Sequence, residues 1–328
     1  MAFFQWANAA VATAPHGRRP LLLNMDETSL AYHFCGLRGT VVRPCNPCSH
    51  TAPKDKASLN DVRGHVSYLS TVANDVGVQA LLPQVLLGNE HKFTRHVLRS
   101  VACPAQIHLW RQKSAWNSHS TMRRYLCLLA KCLGNLVKER YVVLLVDTAK
   151  VHIHISIYKL ALQKQIRLLY VPAKMTRWLQ PLDVYVFGPF KAALQENWRC
   201  AKAVAADGNV DTKRWLQVIF GTIAEVIGKD WSPAFAKVGV TDRQSFVASH
   251  LLGALGWTSM PLVPATSPSV EEARKIFPSR MRLDILSYIH WVPACKRVAQ
   301  GSVSSSVGQT KRRRLPPTFS ARYVQTLD

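Results

Sequence analysis

Apolar and polar positions alternate in two distinct ways along the chain. Tyr141-Val142-Val143-Leu144-Leu145-Val146 is an unbroken apolar run that stops at Asp147. So short and valine-rich a run predicts a strand buried on both faces. A similar run, Leu21-Leu22-Leu23-Asn24-Met25, stops at Asp26, and residues 166–171 predict a third such strand, ended by Pro172. Residues 62–73 and 77–87 predict a β-hairpin turning at Asn74-Asp75. Its apolar residues are Val66, Tyr68, Leu69, Val72, Val78, Ala80, Leu81, Leu82, Val85 and Leu86.

Helical spacing takes over elsewhere. Met122, Tyr125, Leu126, Leu129, Leu133 and Leu136 form one stripe. They predict a helix capped by Ser120, running to about Val137 and weakened at its end by Gly134-Asn135. Residues 2–13 and 153–164 predict further helices. Asp183 is expected to open a helix carrying Val186, Phe187, Phe190, Leu194 and Trp198, bent or delayed by Gly188-Pro189. Asp211 or Thr212 caps another, with Trp215, Leu216, Ile219, Ile223, Val226 and Ile227 inward, and residues 231–240 predict a short closing helix. Residues 88–118 are mixed, with Trp110 and Trp116 read as packing anchors.

Strand, hairpin, helix, strand, helix, strand, helix is a ribonuclease H-like order: an α/β fold with a mixed sheet flanked by helices. The strands before Asp26 and Asp147 then lie side by side in the middle. Both acids reach the carboxyl ends of strands, where open α/β sheets place their ligands. Asp183 follows Asp147 by thirty-six positions. Alone, each acid reads as a turn or cap residue; together they predict a divalent-metal site. This endonuclease-like domain is expected over residues 1–255. Residues 256–328 read as a mostly helical C-terminal extension: a Pro- and Ser-rich linker at 260–269, short helices at 270–292, and a Ser-rich tail containing Lys311-Arg312-Arg313-Arg314, expected to be disordered.

Composition narrows the partners. The 328 residues include 42 Lys plus Arg and only 19 Asp plus Glu, a formal charge of +23. Such an excess favours a polyanion, most simply nucleic acid. The basic run at 311–314 fits a nuclear import signal or a DNA contact as well as it fits a solvated charge run. Eight cysteines are scattered, which points to reduced intracellular thiols. Cys45-Asn46-Pro47-Cys48 has zinc-ligand spacing, but no second pair stands at finger spacing, so a flexible loop is the first reading. Gln5 and Asn8 interrupt the apolar N-terminus and no basic segment precedes it, so no signal peptide is expected. No apolar run approaches the roughly 20 residues of a spanning helix, and a soluble protein is expected. Trp178, Trp198 and Trp215 could stack bases, though at helical spacing core packing is the default.

Three motifs carry a family likeness. Asn24-Met25-Asp26-Glu27-Thr28 has the form N-x-D-E-T, and Asp147-Thr148-Ala149-Lys150-Val151-His152 parallels D-N-A-P-x-H. Pro172, Thr176 and Leu179-Gln180-Pro181-Leu182-Asp183 follow a proline, threonine, L-Q-P-L-D pattern. The chain resembles, over about residues 18–240, the DDE-superfamily transposase domain of the mariner/pogo group, which includes jerky-like and centromere-protein-B-like host proteins. Lys113-Ser114-Ala115-Trp116 is similar too, more weakly.

The resemblance implies metal-dependent DNA cleavage and strand transfer. Asp26, Asp147 and Asp183 would hold a pair of cations, two Mg2+ or Mn2+. It also implies DNA partners (transposon ends and target duplex), compatibility with a homodimer, and a nuclear location. Gln180 would position Asp183 through its backbone turn. His152 would pack or orient rather than contact phosphate, and Glu27 would point away as a structural residue. Thr148 and Lys150 depart from the motif, and Lys150 brings a cation beside the site. The family's paired helix-turn-helix region does not precede Asp26, which implies a fragment of a longer element or lost end recognition. The alternatives are a catalytically inactive, transposase-derived DNA-binding protein and an RNA-directed nuclease on the same fold.

Overall fold

A computed structural model of the chain describes residues 1–30, 66–91, 93–113, 115–205, 210–267, 269, 271, 272 and 276. The Cys45/Cys48 loop and the basic run at 311–314 lie outside the described residues.

Six strands form one mixed sheet: β1 (Arg19–Leu30), β2 (Val66–Ala73), β3 (Gln84–Asn89), β4 (Ile107–Gln112), β5 (Arg140–Val146) and β6 (Ile166–Tyr170), in the order β4-β3-β2-β1-β5-β6. β2 runs antiparallel to β1 and β3, whereas β5 is parallel to both β1 and β6. This is the ribonuclease H-like order expected from the sequence, with β1 and β5 adjacent at the centre. β4 is an addition that the mixed stretch 88–118 did not reveal; it pairs in parallel with β3. Its burial is irregular, and neither apolar alternation nor a continuous apolar run marks it.

Helices cover both faces, and strand parity shows which. The even-numbered Tyr68 meets Phe190 at 5.1 Å between ring centroids, while the odd-numbered Thr71 hydroxyl lies 2.7 Å from that of Tyr125. Alternate residues of β2 therefore face different helical layers. α1 (Ala2–Ala12) packs on β6, with Trp6 stacked on Tyr170 at 6.1 Å. The predicted hairpin is present, but its turn contains α2 (Val76–Gln79), which Asp75 caps through the Gly77 N–H at 3.0 Å. Ala80 and Leu81 consequently face solvent instead of the core.

β3 and β4 are joined through α3 (Arg95–Ser100). α4 (His119–Leu133) carries the expected stripe, but Ser118, not Ser120, accepts from the Thr121 N–H and starts it. Gly134, at φ 53°, ends it, and α5 (Leu136–Glu139) is separate. α6 (Ile155–Gln163) links β5 to β6. α7 (Thr176–Leu179) and a π turn (Leu182–Val186) lead into α8 (Phe187–Val204). α9 (Thr212–Ile227) is capped by Asp211, which accepts from the Arg214 N–H at 2.7 Å. α10 (Ser232–Lys237) and α11 (Ser249–Leu255) follow, the latter unforeseen in the sequence.

Gly239 turns the chain after α10 at φ +79°, and a Cβ there would lie 2.0 Å from the Phe246 carbonyl oxygen. Gly239→Ala should therefore cost about 2 kcal/mol or more in urea unfolding, left-handed strain adding to a backbone collision. Gly221, inside α9 with open space around it, is the opposite case. Gly221→Ala should gain roughly 0.5–1 kcal/mol by restoring helix propensity.

Candidate active site

The sheet register aligns the first two acids. Parallel pairing of β1 with β5 runs from Arg19↔Arg140 to Asn24↔Leu145. Asp26 and Asp147 each lie two residues beyond that last pair, so they emerge in step and on the same side. β1 does not stop at Asp26, as the sequence reading expected, but continues to Leu30 because β2 still pairs with it, opposing Ser70 to Asp26. Asp26 is thus a strand-interior acid, only 9% exposed.

Asp183 reaches the same place by a different route. It lies in the π turn, where the Phe187 N–H donates to the Leu182 carbonyl five residues back. Pro189 gives a reason for that wide turn. It has no N–H to offer Tyr185, and in a regular helix its ring would collide with that carbonyl. An extra residue in the turn relieves both problems. Gly188-Pro189 therefore shapes the helix entry, as expected, and α8 proper begins four residues after Asp183.

Asn24 ties these pieces together. Its side chain is fully buried. Nδ2 donates to the Leu145 carbonyl at 3.2 Å and Oδ1 accepts from the Leu182 N–H at 2.9 Å. One amide thus joins the strand of Asp26, the strand of Asp147 and the turn of Asp183. The motif contained Asn24, but sequence reasoning gave it no role. A polar amide inside the apolar run Leu21–Met25 was the available signal, since buried polar groups need partners.

Electrostatics confirm that the acids share a neighbourhood. Burial pushes the Asp26 carboxyl well above the usual aspartate range, and the charges of Asp183 and Asp147 push it further. The Glu27 N–H, 2.8 Å from Oδ1, and the nearby Gln180 side chain only partly offset this. Asp147 goes the other way. Burial raises it, but the His152 hydrogen bond and charge, with the Ala149 N–H at 3.1 Å, outweigh burial and hold it below its ordinary value.

His152 is an orienting residue by position: 3% exposed, with Nδ1 bonded to Asp147 Oδ1 and its carbonyl accepting from the Tyr170 hydroxyl at 3.1 Å. Gln180 is buried beside Asp26, and its carbonyl accepts from the Val184 N–H at 3.0 Å, spanning the Asp183 turn. Lys150 is exposed in the turn after Asp147. Glu27 is half-buried and raised by burial, an effect partly offset by Ser67, the His152 charge and the Asn117 N–H. It therefore belongs to the surroundings of Asp147 and His152 rather than pointing away from them.

The donors fit a hard divalent cation in chemistry: carboxylate oxygens only, with negative charge converging on a buried Asp26. The Gln180 side chain is buried near Asp26, with neither polar atom in a close protein hydrogen bond, and His152 Nε2 is likewise buried without a partner. The spacing is open, however. Among the described residues, no three His, Cys, Asp or Glu side chains are arranged to grip one ion together.

A family model for the DDE superfamily endonuclease matches residues 72–241, just over half of the chain. The match includes Asp147 and Asp183 and begins after Asp26. No curated protein matches the chain. Among solved structures it is similar to the Mos1 transposase paired-end complex with left transposon end, at 15% identity over 73% of this chain and 62% of that one, with a TM-score of 0.34. It is also similar to a pre-cleavage Mos1 transpososome, at 14% identity over 73% and 63%, with a TM-score of 0.31. The chain spans less than two thirds of these Mos1 chains.

Asn24→Ala should destabilise the fold by about 2–3 kcal/mol, because the Leu182 N–H and Leu145 carbonyl lose a buried partner. Hydrogen exchange should show the Leu182 amide losing protection before the sheet does. Asp26→Asn should act oppositely in metal-free protein. A carboxyl whose folded pKa is raised loses stability as pH rises from the ordinary aspartate range through the folded value. The Asn variant should therefore have the higher urea midpoint at neutral pH. Its advantage should vanish in acid, where Asp26 is protonated whether folded or unfolded.

Proposed function

The chain belongs to the DDE superfamily endonuclease family, and from that premise we propose that it is a transposase-type, metal-dependent DNA endonuclease and strand transferase. The observation carrying this reading is the delivery of Asp26 and Asp147 in register from adjacent parallel strands, with the turn of Asp183 tied to the same strands through Asn24; the charges of Asp183 and Asp147 both act on the buried Asp26 carboxyl. Like charges gathered around a desolvated acid are costly unless a cation shares them. Asp26, Asp147 and Asp183 would hold that cation, Mg2+ or Mn2+, in a pair of sites. Bound there, such ions supply Lewis-acid polarisation of a phosphate and an activated water or 3′-hydroxyl.

The chain's own residues prepare the site. His152 and the Ala149 N–H both engage Asp147 Oδ1, which fixes the carboxylate, and Oδ2 would be the oxygen offered to the cation. Asn24 fixes the turn from which Asp183 projects. Asp183 is the exposed member of the trio, so substrate phosphate would enter from its side. The charge of +23 favours DNA as the polyanion, and the basic run at 311–314 fits a nuclear protein. A homodimer is compatible with this reading.

The lack, among the described residues, of three ligands placed to grip one ion, and the exposed cation Lys150 three residues after Asp147, favour one second reading, a DNA-binding protein that kept the fold without the chemistry. Nicking of supercoiled plasmid in Mg2+ or Mn2+ decides between them. The parent should nick. Asp26→Asn, Asp147→Asn and Asp183→Asn should each lose roughly a thousand-fold or more in rate, the scale of several kcal/mol of transition-state stabilisation. His152→Ala should lose about 10–100-fold, as a ligand-orienting residue does. A parent protein that binds DNA but nicks none with either metal would establish the second reading.

A further inference from the structure

Trp116 does not pack. It is 74% exposed, whereas Trp110, also read as an anchor, is buried. Its backbone is nevertheless fixed. The Gln112 Nε2 donates to the Trp116 carbonyl at 2.6 Å, and Gln112 Oε1 accepts from the Thr121 hydroxyl at 3.0 Å. The loop is thereby clamped between β4 and the first turn of α4, and the indole is held out from a rigid support.

That support adjoins the acidic site. The N–H of the next residue, Asn117, lies against the carboxylate of Glu27, which directly follows Asp26. The Asn117 amide itself has no protein hydrogen-bond partner. His119 Nε2 is 3.3 Å from the Lys150 carbonyl, and the His119 ring lies 4.5 Å from that of His154. Arg111 and Lys113, just before Trp116 in the chain, are exposed, as is Lys150, whose carbonyl faces His119. An exposed aromatic face, with basic residues nearby in the chain, thus stands on a loop that adjoins Glu27, the residue after Asp26.

We infer that Trp116 is a stacking platform for an unpaired nucleobase next to the phosphate entering the acidic site, an inference that rests on DNA being the substrate. Cations around an isolated indole suit a polyanion with flat apolar faces better than an apolar protein groove. In a duplex those faces are covered by neighbouring base pairs, so only a frayed, flipped or single-stranded nucleotide can use the indole.

The test uses the full chain without divalent metal, so that no cleavage intervenes. Fluorescence anisotropy compares a blunt duplex with the same duplex carrying a short single-stranded 3′ extension that contains 2-aminopurine. The parent should prefer the extended duplex and quench the 2-aminopurine. Trp116→Ala should weaken binding of the extended duplex by roughly five- to 150-fold, the range of one base–aromatic stack. It should leave blunt-duplex binding unchanged and abolish the quenching, while Trp116→Phe should retain most of both. Trp116→Ala protein that keeps the preference and the quenching, or that loses blunt and extended duplex equally, overturns the inference. The preference should persist in Asp147→Asn protein. Failure of the nuclease reading would thus appear as absent nicking with the preference intact, and failure of this one as the reverse.

Discussion

A single buried amide holds the candidate site together. Asn24 gives one N–H of its side-chain amide to β5 and one of its acceptor positions to the turn after Pro181. The three acids come from elements far apart in the chain, and no covalent or local constraint brings the last of them to the sheet. Register alone aligns Asp26 with Asp147, because neighbouring parallel strands end in step. It says nothing about a turn arriving from beyond β6. The Leu182 N–H, anchored on Asn24, supplies that missing constraint one residue before Asp183. An apolar residue at position 24 would pack in the same space and leave the turn unattached.

The acids differ in exposure, and their environments differ accordingly. Asp26 is buried in a strand and carries the electrostatic cost of the group. Asp147 is partly open, 29% exposed in its side chain, and is compensated by His152. Asp183 is open to solvent on a helix entry. Without a cation the conflict concentrates on Asp26, since two of its four polar neighbours, Asp183 and Asp147, are themselves acids and burial removes the screening of water. A protein under selection for stability alone would place an amide or an apolar residue there. Retaining a carboxyl at the least favourable position is the kind of local inconsistency that marks a functional site.

Most of the sheet was legible in the sequence, because β5, β6 and the first half of β1 are mostly apolar runs with clear stops, broken only by Arg167 in β6 and Asn24 in β1. β4 was not, since an edge strand with mixed burial lacks both period and composition. The continuation of β1 past Asp26 was hidden for a related reason: pairing with β2 through Asp26, Glu27 and Thr28 is invisible to a pattern that ends at the first charge. The acids themselves were legible from motif spacing, whereas Asn24 as a latch needed coordinates. So did the surroundings of Glu27, because strand parity predicts that its side chain leaves the Asp26 face but not that His152 and Asp147 lie near its new direction. Trp116 shows the converse limit. Size and apolarity made it a core candidate, yet its neighbours Lys113 and Asn117 and the clamp from Gln112 place it outward.

The helix entry shows how one residue can set the site from a distance. Pro189 touches none of the acids, but its missing N–H and its ring forbid a regular turn over Tyr185. The chain answers with a π turn at Leu182–Val186, and that turn carries Asp183. A regular α-turn would rotate residue 183 by the difference of one residue relative to α8, about 100° around the helix axis. The core residues Phe187, Phe190 and Leu194 fix the rotation of α8 from below, so the turn rather than the helix would have to absorb the change. Asn24 then holds the start of the turn and α8 holds its end. The direction of Asp183 is thus determined from both sides, by an amide 159 positions earlier in the sequence and by a proline six positions later.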